Sequence, residues 1–164
     1  MRKVRFVLII LALLLLVPAG CRPDGEGKEG EYQLYFALPR DANYGCALAT
    51  QSWEGEGTPT PEQLMEALLD GPTREELRSP FPGTVTVQSM TLDADQGMLH
   101  VTLSEQYGGL TDMAQTLADA CIVMTMCQFP EIWQVEISSE GFWSSRPASR
   151  ILTPGQIQLD TLLP

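Results

Sequence analysis

The order of predicted elements along this chain indicates an α+β fold: strand, strand, helix, hairpin, helix, strand. Two segments repeat apolar residues at helical spacing, whereas the others are short apolar or alternating runs bounded by Gly, Pro and Asp. The economical way to bury both kinds of surface is a two-layer sandwich. We therefore expect a mixed or antiparallel sheet with two helices packed on one of its faces.

Five segments have the composition of strands. Residues 32–38 (YQLYFAL) are aromatic and apolar and predict a buried strand, while residues 46–53 predict a weaker second one. Residues 84–92 and 98–103 flank a turn rich in Asp and Gly, which is typical of a hairpin. Residues 132–138 (IWQVEIS) form the last predicted strand.

The first helix has clear start and stop signals. Thr60 is a good N-cap, Pro61 suits the first helical position, and Gln63 completes a capping box. Gly71, followed by proline, is expected to end the helix.

The second helix, which Thr111 or Asp112 is expected to cap and which is predicted to run to about Gln128, is apolar on more than one side. One stripe would face the sheet, whereas Ile122, Val123 and Met126 lie on the back of the helix. Either the C-terminal segment 142–164 or another protein could cover them. These three residues, with any open sheet edge, form the predicted partner surface.

The N-terminus has the pattern of a secretory signal. Residues 1–20 contain three basic residues, an apolar run over 6–17, and Ala-Gly directly before Cys21. This resembles a bacterial lipobox, in which the cysteine is lipidated, although Pro18 stands where lipoboxes usually carry leucine. The alternatives are an ordinary cleaved signal or an uncleaved anchor helix. In each case the rest of the chain faces away from the cytoplasm.

A flexible linker is predicted over residues 21–31, since this stretch is charged and rich in glycine. Two acyl chains on Cys21 would hold the protein stably on a bilayer. The full chain has a formal net charge of −11, and residues 1–20 contribute three basic and no acidic residues. The mature chain is therefore more acidic still, which argues against nucleic acid as a partner and against a polybasic grip on lipid.

Three further cysteines remain in the body of the chain: Cys46, Cys121 and Cys127. The last two lie six residues apart in a predicted helix, so their Cα atoms are about 10 Å apart. A disulfide requires less than about 7 Å. Cys46 could pair with either one, or all three thiols could be free, which we favour.

No catalytic constellation is visible, and we expect no enzyme activity, metal or cofactor. The single histidine, His100, is expected on the polar face of its strand, facing solvent. The tryptophans Trp53, Trp133 and Trp143 are candidate contacts for a cell-wall or small-solute ligand. Trp133 falls within a predicted strand, which favours a place in the core.

Residues 32–141 resemble a GerMN domain, of the sporulation and spore-germination family. The most specific motifs are YQLYFAL, PTPEQLMEALLDGP, PFPGTVTVQSMTLDADQGMLHVTLSEQY and QFPEIWQVEISSEG. The resemblance implies a non-enzymatic, extracytoplasmic module of Gram-positive bacteria, often a lipoprotein, with a fold similar to ring-building motifs of secretion systems. Some relatives carry two tandem copies, whereas one is found here. Segment 142–164 is expected to pack on the domain.

Together these features predict an interaction module anchored by lipid to the outer face of the cell membrane. Its expected partner is a protein of the cell envelope or of a sporulation complex. The alternative is a lipoprotein that binds a cell-wall or small-solute ligand.

Overall fold

A computed structural model of the chain describes residues 31–39, 46–140 and 149–157, and the side chains of 46, 47 and 112 are not among the described groups. The predicted signal peptide and the lipidated Cys21 lie outside these ranges. The fold is α+β, as the sequence predicts. Its elements are β1 (Gln33–Pro39), β2 (Cys46–Ser52), α1 (Pro61–Asp70), β3 (Val87–Asp93), β4 (Met98–Leu103), α2 (Glu105–Gly108), α3 (Asp112–Met126), β5 (Gln134–Ser139), β6 (Ser149–Leu152) and a 3₁₀ turn (Pro154–Gln156).

The strands form two sheets, whereas a single sheet was expected. β1 and β2 make an antiparallel hairpin of their own, and the other four strands lie in the order β3-β4-β5-β6. The larger sheet is mixed, because β4 and β5 run parallel while the outer pairs are antiparallel. Strand β6 pairs along β5, so this part of the C-terminal segment belongs to the folded unit.

Helix α1 begins and ends where the sequence predicts. The backbone N–H of Gln63 donates to the Thr60 hydroxyl over 3.3 Å, and the Gln63 side-chain oxygen accepts from the Thr60 N–H over 2.9 Å. This reciprocal pair satisfies two N–H groups that the first turn leaves unpaired. At the other end Gly71 has a φ of 95°, which favours glycine and stops the helix.

The core lies on one face of the four-stranded sheet. Leu99 and Val101 of β4, and Val135 and Ile137 of β5, are at most 2% exposed. Helix α3 contacts β5, and it also contacts β1 and α1. This helix is therefore enclosed by the large sheet on one side and by the first hairpin and α1 on the other. Within the described residues, no helix combines the length and the apolarity that crossing a membrane requires.

Candidate interaction surfaces

The three residues predicted as a partner surface, Ile122, Val123 and Met126, are fully buried, each with 0% exposure. They belong to the main apolar cluster, together with residues of β1 and α1 such as Phe36 and Leu68. The prediction of an exposed surface here is wrong, because the first hairpin and α1 cover the back of α3. These side chains stabilise the core and present nothing to a partner.

The hairpin is fixed to α3 by hydrogen bonds as well as by apolar packing. The backbone N–H of Tyr35 donates to the Thr125 hydroxyl over 3.1 Å. The Gln128 amide both accepts from the Gln33 N–H, over 2.9 Å, and donates to the Gln33 carbonyl, over 2.6 Å. Side chains of α3 and of the turn after it thus take the place of a neighbouring strand along β1.

The same edge of β1 is closed further along by the chain after α1. Ala37 and Arg78 exchange two backbone hydrogen bonds, of 3.0 and 2.8 Å. Alternate residues of β1 therefore find partners from Gln33 to Ala37, and the edge is not open to another strand. An unpaired edge would invite pairing with other chains, so this closure also protects the fold.

The second face of the four-stranded sheet is polar. Along β4 the buried Leu99 and Val101 alternate with the half-buried His100 and Thr102. The strand registers place the equivalent positions of the other strands beside them. Apart from the buried Met98, these side chains are exposed or half-buried. We call this set the open face: Ser89, Thr91, Asp93, Met98, His100, Thr102, Gln134, Glu136, Ser138, Ser149 and Ile151.

Three residues of the open face form a hydrogen-bonded cluster. His100 Nδ1 lies 2.5 Å from Glu136 Oε2, and the Ser149 hydroxyl donates to Glu136 Oε1 over 2.7 Å. The hydrogen bond from Ser149, and after it that from His100, holds the pKa of Glu136 below its usual value. The cluster ties β4, β5 and β6 together on their polar side.

This cluster has the residue types of a nucleophilic triad but not its order. In such a triad the imidazole lies between the hydroxyl and the carboxylate, so that it can take the hydroxyl proton. Here Glu136 lies between His100 and Ser149, and its lowered pKa makes it a weak base. The described residues also bring together no group of three side chains suited to hold a metal ion.

A second cluster, which the sequence did not reveal, lies on the opposite side of the sheet. The Tyr107 hydroxyl donates to Asp119 Oδ1, and Arg150 pairs with Asp119 Oδ2 over 2.6 Å. Asp119 and Tyr107 are buried, at 4% and 2% exposure. Burial raises the pKa of Asp119, against the opposing effects of Tyr107 and Arg150, and burial also raises the pKa of Tyr107.

The cysteines of α3 and its C-cap are free thiols, as the predicted helix spacing requires for that pair. Burial raises the pKa of Cys121 to about 12 and that of Cys127 to about 11. Burial therefore favours the protonated, weakly nucleophilic form of both thiols at neutral pH. The side chain of Cys46 lies outside the described groups.

Trp133 is not in the core, contrary to the prediction: 64% of its surface is exposed. The reason is that β5 begins only at Gln134, so Trp133 precedes the strand and its alternation. Trp53 packs on the apolar cluster and lines a shallow depression with Glu54 and Asp70. Trp143 lies outside the described residues.

The mixed sheet, covered on one face and polar on the other, defines a small α+β domain. Residues 33–143, more than half of the chain, match the model of the Germane family, described as sporulation and spore germination. The chain belongs to this family.

Two solved structures show the same fold. The first GerMN domain of the sporulation protein GerM from Bacillus subtilis matches at 17% identity with a TM-score of 0.55, over 68% of this chain and 83% of that one. The tandem GerMN domains of GerM match at 18% identity with a TM-score of 0.54, over 68% of this chain. This chain covers 39% of that tandem structure. No curated protein matches the chain.

Proposed function

We propose that this protein is a non-enzymatic, lipid-anchored module on the outer face of the cell membrane. It docks onto a protein of the cell envelope or of a sporulation complex through the open face of its four-stranded sheet. The observation that carries this proposal is the contrast between the two sheet faces. One face carries the core and packs against α3, whereas the other presents mostly polar side chains from four strands.

The family supports a role in contact rather than in chemistry. The Germane description concerns sporulation and germination, and the solved domains that share the fold come from a sporulation protein. In the described residues the one histidine is held by Glu136, and the only neighbouring hydroxyl in that cluster donates to the carboxylate instead. No hydroxyl of this cluster is activated as a nucleophile by an adjacent base.

The proposal of a lipid anchor is based on Cys21 and the residues before it. The basic start, the apolar run and Ala-Gly before the cysteine favour lipidation, and the linker over 21–31 would hold the domain away from the bilayer. Replacing Cys21 with serine should abolish incorporation of labelled palmitate and release the protein from the membrane fraction. A Cys127→Ser variant is the matched control, and it should keep both label and location. Retention of the label by Cys21→Ser would refute the anchor.

Docking can be tested by photo-crosslinking in living cells. A photoreactive amino acid is placed at Thr91, exposed on the open face, and as a control at Thr84, exposed in the loop before β3. We expect Thr91 to capture a defined protein in sporulating cells and Thr84 to capture none. Equal capture at both positions, or no capture at Thr91, would show that the open face is not the docking surface.

A further inference from the structure

Trp133 differs from the other exposed apolar side chains because its ring is held in place. Met113 and Ile151 are also exposed, at 70% and 49%. Isolated exposed apolar residues are common and need no function. In Trp133, however, the indole Nε1 donates to the Pro130 carbonyl over 3.0 Å, and the backbone N–H donates to the Gly97 carbonyl over 2.8 Å.

The ring lies flat over the turn between β3 and β4. A Cβ added to Gly97 would come within 2.7 Å of the Trp133 atom Cδ2 and 3.0 to 3.1 Å of Cε3 and Cγ. Cδ2 is bonded to three ring atoms, so it can be the nearest atom only when the approach is to a face of the ring. One face of the indole therefore covers Gly97, and the 64% exposure leaves the other face to solvent.

The turn that the ring covers carries polar groups. In this turn, the Asp93 carboxylate accepts from the backbone N–H of Asp95 and from the side-chain amide of Gln96, over 3.1 and 2.9 Å. The side-chain amide of Gln134 donates to the Gln96 carbonyl over 3.2 Å. These bonds fix carboxylate and amide groups in the turn that the ring covers and at the start of β5, the residue after Trp133.

We propose that Trp133 is a stacking platform for a pyranose ring of an uncharged glycan. A pyranose has an apolar face of C–H groups and a rim of hydroxyls, which match an aromatic face bordered by polar side chains. The formal net charge of −11 disfavours anionic ligands. Because the ring is already fixed, binding costs little further ordering of the side chain. This site lies at the edge of the open face proposed for docking and shares Asp93 and Gln134 with it, but its ligand and its test are different.

A protein partner fits these surroundings less well. Tryptophans that anchor protein interfaces usually lie at the centre of a well-packed, water-excluding patch. The turn that Trp133 covers instead carries the half-buried Asp93 and the exposed Asp95 and Gln96, all of them polar. The surroundings thus favour a ligand that keeps hydroxyl groups at its rim.

Saturation-transfer NMR of the full chain in phospholipid nanodiscs, with chitotetraose as the probe, tests this proposal. We expect saturation to concentrate on the C–H protons of one pyranose face. Trp133→Ala should weaken binding at least about tenfold, and Trp133→Phe, which keeps a smaller ring, should weaken it less. Met113→Ala is the matched control and should bind as the wild type does, since Met113 is exposed in the first turn of α3 whereas Trp133 follows the end of that helix.

Two results would overturn the proposal. The first is the absence of saturation transfer from the wild type at millimolar probe, with the fold verified by circular dichroism. The second is binding that Trp133→Ala leaves unchanged. Sedimentation of the same samples separates one further case: self-association that Trp133→Ala abolishes, without glycan binding, would assign the platform to a second copy of the chain. Each of these results leaves the crosslinking test of the open face unaffected.

Discussion

Two neighbouring residues of β6, Ser149 and Arg150, take part in two clusters of the same size on opposite sides of the sheet. Ser149 joins His100 and Glu136 on the open face, where the side chains of His100 and Glu136 are 42% and 27% exposed. Arg150 reaches Asp119 beneath the sheet, and the side chains of this pair are 29% and 5% exposed. Both clusters have a carboxylate at the centre with a partner on each side.

The two clusters differ in solvent access, which decides how much the hydrogen bonds of each contribute to the stability of the fold. A carboxylate near solvent can exchange its partners for water, so its hydrogen bonds contribute little to stability. A buried carboxylate has no such replacement, and loss of a partner leaves a charge or a donor unpaired. We therefore expect the cluster around Asp119 to fix β6 on the domain and the cluster around Glu136 to be nearly neutral.

The largest expected effect is that of Asp119→Ala. This change leaves the Tyr107 hydroxyl buried without its acceptor and Arg150 without its counter-ion, and it should lower the free energy of unfolding by about 3 kcal/mol. Urea unfolding followed by circular dichroism at neutral pH measures the loss. Asp95→Ala, in an exposed turn, is the control and should change stability little. A loss below about 1 kcal/mol would mean that water replaces the partners of Asp119.

Arg150→Met should have the second largest effect, about 2 kcal/mol, because it keeps the apolar stem but leaves the Asp119 carboxylate unpaired. Part of the Arg150 side chain is exposed, so the loss is smaller than for Asp119→Ala. The double variant should be more stable than the sum of the two single losses predicts. Strict additivity in a double-mutant cycle would show that the ion pair contributes nothing.

Local features of this fold could be predicted from the sequence, whereas long-range features could not. The capping box of Thr60 and Gln63, the stop at Gly71 and the turn before Met98 each depend on a few adjacent residues. The α+β class follows from such elements. The two clusters, in contrast, join residues from several elements, and nothing near Arg150 in the sequence points to Asp119.

The errors at the candidate surfaces have the same origin. The apolar back of α3 is visible in the sequence, but its cover is not, because β1 has the composition of a strand whichever sheet it joins. The hydroxyl of Thr125 and the amide of Gln128 close the edge of β1, and only the folded chain brings them there. The predicted strand begins at residue 132, two residues before β5 begins at Gln134, and this difference places Trp133 wrongly in the core.

A smaller effect is expected for Glu136→Ala on the open face, at most about 0.5 kcal/mol. His100 is partly exposed and can turn to water once its partner is lost. The measurement is the same urea titration, and Ser149→Ala, which removes only one donor, should give a still smaller change. A loss from Glu136→Ala as large as that from Asp119→Ala would contradict the comparison, since solvent access would then not distinguish the clusters.

The titrations of Glu136 and Asp119 should change the free energy of unfolding with pH in opposite directions. The pKa of Glu136 is lowered from its usual 4.5, so the folded state releases this proton more readily than the unfolded chain. Its stabilisation is present above that value and is lost as the pH falls through the lowered pKa. The pKa of Asp119 is raised from its usual 3.8, so the folded state holds this proton more tightly. Ionising Asp119 therefore lowers stability as the pH rises from 3.8 through the raised pKa.

Glu136→Gln and Asp119→Asn remove one titration each and keep most of the side-chain shape. Unfolding free energies measured between about pH 3 and pH 7 separate the two contributions. The stability of the wild type relative to Glu136→Gln should increase with pH, and its stability relative to Asp119→Asn should decrease. Two differences with the same sign would mean that Arg150 outweighs the burial of Asp119. The carboxylate of the buried cluster would then titrate in the same direction as that of the exposed one, and the two clusters would differ only in burial.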